Sequence, residues 1–167
     1  SNQTFTLAGN AIALTNDAGG VYPKITLPAP RAWTVQAPVT ALRSLTLDIA
    51  GSLIFANNTL TLPNNSGVSK YGPGTVVLPT LTNAASAYIQ EGAVKTPSLP
   101  SGSSVQIRSQ TDKRAAFYLT QGGQTLGNAL YLMGSGSPTL GTRCGGGTVT
   151  CSNWTYGYGD SATFDVG

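Results

Sequence analysis

Histidine is missing altogether from this chain, and cysteine, methionine and charged residues are scarce. Each shortage excludes something. Without an imidazole there is no Ser-His-Asp triad and no Cys-His pair, since both need histidine as the general base. Two cysteines cannot supply the roughly four nitrogen or sulfur ligands of a structural zinc site. No metal and no other cofactor is therefore expected. Charged residues make up only 9% of the 167, against roughly a quarter in ordinary soluble domains. Gly, Ser, Thr and Asn take their place and give a wet surface with little charge to hold neighbours apart. Such a surface tolerates self-association and points to an extracellular or cell-surface location.

The net charge of +3 comes from nine scattered Lys and Arg over six acids. No basic run carries interleaved aromatics, so nucleic acid is not an expected partner. Nor does any stretch approach the ~18 uninterrupted apolar residues of a membrane-spanning helix. The acids are Asp17, Asp48, Glu91, Asp112, Asp160 and Asp165, each beside a turn or a strand end. Paired carboxylates can hydrolyse a glycosidic bond, but only Asp160 and Asp165 fall near each other. The chain is expected to have no catalytic residues and not to be an enzyme.

What the sequence does contain is short strand-like runs separated by Gly, Pro, Asn and Asp. They include Thr4–Ala8, Ala11–Thr15, Lys24–Leu27, Ala32–Gln36, Leu45–Ile49 and Leu53–Ala56. Leu60–Leu62, Thr75–Leu78, Ala87–Gln90, Val105–Arg108 and Ala115–Thr120 continue the theme. Apolar anchors recur at a step of twenty: Phe5, Ile25 and Leu45, then Leu7, Leu27 and Leu47, then Ile12, Trp33 and Leu53 within a residue. A period near twenty is one rung of a β-solenoid, whose turns must stack to share a core. No window shows helical periodicity. The expected fold is a single all-β domain over residues 1–167, a β-solenoid of the right-handed β-helix type. A β-sandwich or jelly roll is the runner-up. Val94–Ser104, rich in Pro and Ser, reads as a surface loop, and Arg108–Arg114 as a solvated turn.

Two stretches carry a family likeness. In SKYGPGTVVL and its continuation to Gly92, the places are held by Lys70, Gly72, Gly74, Thr75, Val76, Leu78, Ile89 and Gly92. In QTLGNALYLMGSG, they are held by Thr125, Leu126, Gly127, Asn128, Ala129, Leu130, Leu132, Gly134 and Gly136. Both lines resemble the autotransporter-associated β-strand repeats of passenger-type β-helix proteins, as does the closing SATFDVG. The family pattern departs at Asn83, which is followed here by Ala-Ala-Ser-Ala. The resemblance implies an outward-facing, non-enzymatic scaffold used for adhesion or matrix. The membrane barrel that ends complete members has no counterpart in this sequence.

Candidate sites follow from these readings. Cys144 and Cys151 flank the glycine-rich Gly145–Thr150. A local disulfide worth about 2–3 kcal/mol is expected there, in an oxidising compartment, with two buried free thiols as the alternative. The N-terminal run lacks charge and proline, so Phe5, Leu7, Ile12 and Leu14 are expected to form an assembly strand for another copy. Trp154, Tyr156 and Tyr158 alternate and would share one face of a strand, either buried or offered to a sugar or partner protein. Asn2, Asn57, Asn64 and Asn153 stand in glycosylation sequons. The expected function is a secreted structural protein that assembles head to tail into a filament or surface matrix with an adhesive role. The alternative is a carbohydrate-binding or adhesin module of a larger surface protein.

Overall fold

Apolar and polar residues alternate along most strands, so each strand has one side to bury and one to wet. In a computed structural model the described residues are 3–15, 19–56, 60–81, 83, 85–100, 102–121, 125–126, 130–134, 137–142, 150–151, 154–156 and 163–166. The first turn of chain holds β1 (Thr4–Leu7), β2 (Ile12–Leu14) and β3 (Lys24–Leu27). The second holds β4 (Ala32–Val35), β5 (Val39–Ala41) and β6 (Leu45–Ile49), and the third β7 (Ser52–Phe55), β8 (Leu60–Thr61) and β9 (Ser66–Tyr71). Next come β10 (Thr75–Val77) with β11 (Ala85–Ile89), then β12 (Gly92–Thr96) with β13 (Ser104–Ser109). The chain continues through β14 (Arg114–Leu119), β15 (Thr125–Leu126) and β16 (Leu130–Gly134). It then forms β17 (Ser137–Thr142), β18 (Thr150–Cys151), β19 (Trp154–Tyr156) and β20 (Thr163–Val166).

Strands from successive turns pair in parallel and build two long sheets. One has eight strands in the order β1-β4-β7-β10-β12-β14-β17-β20, the other seven in the order β3-β6-β9-β11-β13-β16-β19. Short ladders, β2-β5-β8 and β15-β18, close part of a third side. This is an all-β solenoid, as the repeat spacing predicts. The parallel pairing also removes the jelly roll, which is built from antiparallel Greek keys. None of the described residues forms a helix, so no helix is long and apolar enough to cross a membrane.

The core runs along the axis as columns of inward side chains. In the seven-stranded sheet, Leu45, Val68, Ala87, Val105 and Leu130 lie in one register and all are buried. In the eight-stranded sheet, Leu53, Val76, Val94 and Phe117 do the same. The alternating burial of β6 and β13 shows the other face left to solvent.

Two sequence expectations change here. The step of twenty holds between Trp33 and Leu53, which are paired. It fails for the triplets that begin at Phe5 and Leu7, because the first turn is longer. Phe5 pairs with Trp33 and Leu7 with Val35, whereas Ile25 and Leu27 lie in the other sheet beside Leu47 and Ile49. Loop lengths vary at the corners, so register is kept by the strands and not by a fixed count. Val94–Ser104 is likewise not all loop. Its first three residues finish β12, with Val94 and Thr96 buried, and the Thr96 hydroxyl bonds the Pro79 and Ser98 carbonyls at 3.1 Å each.

One corner is packed backbone to backbone. A Cβ on Gly51 would stand 1.9 Å from the Arg31 carbonyl oxygen, and one on Gly74 would stand 2.0 Å from that of Gly51. Neither obstacle is a flexible side chain that can swing aside. Gly51→Ala is therefore expected to cost about 3 kcal/mol or more in urea denaturation, because adjacent turns must separate. Gly20→Ala, where nothing lies within 4 Å and φ is +76°, should lose only about 1 kcal/mol.

Candidate functional site

Among the residues whose burial is described, the N-terminal end is the least covered. β1, β2 and β3 are each the outermost strand of their sheet. Of the seven large apolar residues exposed among the described residues, Phe5, Leu7, Val21 and Tyr22 lie in the first turn, and Leu42 follows β5 in the second. Phe5 and Leu7 occupy the core column of their sheet yet remain 48% and 45% exposed, with no described strand on the outer side of β1. Phe5 meets Trp33 edge to face, with ring centres 6.3 Å apart. Ile12 and Leu14 differ from the expectation of four bare residues, since both pack partly against the core. Behind them lies an apolar cavity of about 130 Å³ lined by Leu7, Ile12, Trp33, Val39 and Phe55 among others. The buried Trp33 Nε1 finds no acceptor among the described residues.

A second feature lies on the outer face of the seven-stranded sheet. Ser69, Tyr88, Gln106, Tyr131 and Thr155 form one lateral row by register. Tyr88 and Tyr131 are two strands apart, about 10 Å. The Arg108 guanidinium stacks over the Tyr88 ring at 4.9 Å. Alongside, Gln90 donates to the Tyr71 hydroxyl at 3.3 Å and accepts from Gln110 at 3.1 Å. This flat, hydrogen-bonded, almost uncharged array is the outward aromatic surface that the sequence reading missed. Its signal was present, because Tyr88 and Gln106 alternate with buried Ala87, Val105 and Ile107. The backbone of Trp154 and Tyr156 pairs with that of buried Leu130 and Leu132. Tyr158 lies outside the described residues.

Lys70 is the third feature. It stands in a core column between Leu47 and Ile89 and is fully buried. Its Nζ donates to the carbonyls of Tyr71 at 2.7 Å, Glu91 at 3.1 Å and Ile49 at 3.3 Å, and also to Gly72. Four acceptors share three protons, so the cage is complete only around the ammonium form. Gly72 and Gly92, both at φ +76°, let the backbone fold its carbonyls onto the amine. A Cβ on Gly92 would stand 2.8 Å from Nζ. Burial pushes the ammonium down from 10.5 to about 8, against the pull of Glu91 and then Asp48. Those carboxylates pair in turn with Lys113 at 2.9 Å and Lys24 at 2.8 Å.

The remaining candidates are less informative. Cys144 lies outside the described residues; the backbone of Cys151 belongs to β18, paired through Thr125 and Leu126. Asn2, Asn57 and Asn153 are also outside them. Asn64 is exposed in a turn, but the hydroxyl of its sequon partner Ser66 is buried and bonded to the Pro63 carbonyl at 2.6 Å. Of the acids, Asp17 and Asp160 fall outside the described residues. Among the described residues no group of three or more Cys, Asp or Glu is placed to hold a metal ion.

The fold and these surfaces define a parallel β-solenoid with an open apolar end. Comparison with family profiles, with curated proteins and with solved structures found no match.

The Lys70 cage makes a signed prediction. Its pKa is lower in the folded state, so the folded protein binds that proton less tightly and stability rises with pH between about 8 and 10.5. The whole interval amounts to about 3 kcal/mol. Lys70→Met should lose this pH-dependent component relative to the parent. It should also be less stable at pH 7 by about 2–4 kcal/mol, because buried carbonyls lose their donor. Urea denaturation of both proteins from pH 7 to 10.5 measures the difference; parallel curves would remove the assignment.

Proposed function

We propose that this chain is a non-enzymatic structural unit that assembles end to end into an extracellular filament or surface matrix, with adhesion as the property of the assembled surface. The observation that carries the reading is the exposure of Phe5 and Leu7 on a core column at the outermost strand. A solenoid turn cannot bury its apolar face alone, and an uncovered parallel edge offers a full row of backbone donors and acceptors. The sparse surface charge and the likeness of two segments to passenger repeats support the same reading, and both favour a location outside the cell. The 167-residue chain should sediment as species that grow with concentration. Phe5→Lys, which puts a charge in the apolar contact, should weaken association at least tenfold without lowering the urea midpoint. A single monomeric species at all concentrations would sink the proposal.

A second reading, carbohydrate binding, is favoured by the outer row of Tyr88, Gln106 and Tyr131 beside Arg108. Rigid aromatic rings and fixed amides suit the apolar faces and hydroxyls of a sugar. On this reading, titration calorimetry against soluble polysaccharides finds a ligand whose affinity falls about tenfold in Tyr88→Ala. Absence of heat with neutral and acidic polysaccharides alike would dismiss it.

A further inference from the structure

We infer that the occupant of the open end is the opposite edge of a second copy, docked in register: β20 of one copy adds as a parallel strand to β1 of the next. Thr163 then lies beside Thr4, Phe164 beside Phe5, Asp165 beside Thr6 and Val166 beside Leu7. This rests on the end-to-end assembly proposed above and gives it a geometry.

The register itself supplies the argument. Followed through seven successive pairings, the column that begins at Phe5 passes Trp33, Leu53, Val76, Val94, Phe117 and Leu140 and ends at Phe164. β1 and β20 are the two outer strands of this sheet. They read Thr-Phe-Thr-Leu and Thr-Phe-Asp-Val, with matching residue types at three of four laterally equivalent positions. The sheet thus offers the same pattern at both edges, with the strands running the same way. Adding one edge to the other continues the ladder without a slip, and a one-residue slip would turn every apolar residue to the wrong face. β1 also lacks the proline and charge that protect free edges. A contact between unlike edges leaves one free edge at each end of the pair, so further copies add in the same way and, where the rotation closes no ring, extend a filament.

The Thr6 and Asp165 positions make the register testable, because they lie off the core column. Thr6 is exposed, and Asp165 continues the row in which Lys95 sits over the ring of Tyr118 at 6.0 Å. At low salt, Thr6→Lys should tighten assembly of the full chain about two- to fivefold, and Thr6→Asp should weaken it as much. Adding Asp165→Lys to Thr6→Asp should restore it. Urea midpoints of each variant establish that the unit itself still folds. Assembly that ignores charge at position 6, or that stops at two copies, overturns this docking while leaving end-to-end assembly standing. Absence of assembly in the unaltered chain overturns both.

Discussion

Each turn of this protein keeps its apolar side chains in register with the turn before, and the rest of the structure follows from that constraint. Parallel strands in register put like positions directly above one another, so an apolar residue in one turn demands an apolar neighbour in the next. The demand is met along columns such as Leu45 to Leu130 and Leu53 to Phe117. Parallel sheets in other architectures are covered on both faces and read as continuous apolar runs. Here the turns close the chain on itself, one face stays wet, and the strands alternate instead.

The same stacking explains the tight corner and its lysine. Gly51, Gly74 and Gly92 bring carbonyls of successive turns so close that no side chain fits between them. Such a corner crowds carbonyls together, and that of Ile49 accepts both from the Gly74 N–H at 2.8 Å and from Lys70. Lys70 sends an apolar stem down the core column and an ammonium head into the corner, tying Ile49, Tyr71, Gly72 and Glu91 from three consecutive turns. Its burial is costly for a charge, and the return is a fixed turn geometry at the point where backbone packing is tightest.

Stacking in register also leaves its ends unsatisfied. Interior turns cover one another, but Phe5 and Leu7 hold core positions on the outermost described strand, and Trp33 keeps a buried N–H without an acceptor among the described residues. On the sides of the solenoid, polar side chains of neighbouring turns bond one another, as Ser104 to Ser86 at 2.8 Å.

By itself the sequence determined that the fold is all-β, that its strands stack, and where most of them run. Alternation and turn residues act locally, within four to six residues, and Lys24–Leu27 and Leu45–Ile49 are legible from them to the residue. The apolar character of Phe5 and Leu7 was equally plain. Only tertiary structure decided which strand lies beside which, because corner lengths differ and a count along the chain cannot see register. That is why Phe5 meets Trp33 and not Ile25. It is also why Trp154 and Tyr156 pair with Leu130 and Leu132 while Tyr88 and Tyr131 share the outer row. Lys70 was legible as part of a motif, but not as a buried charge. Its cage is made of carbonyls from neighbouring turns, which come together only when the solenoid is wound.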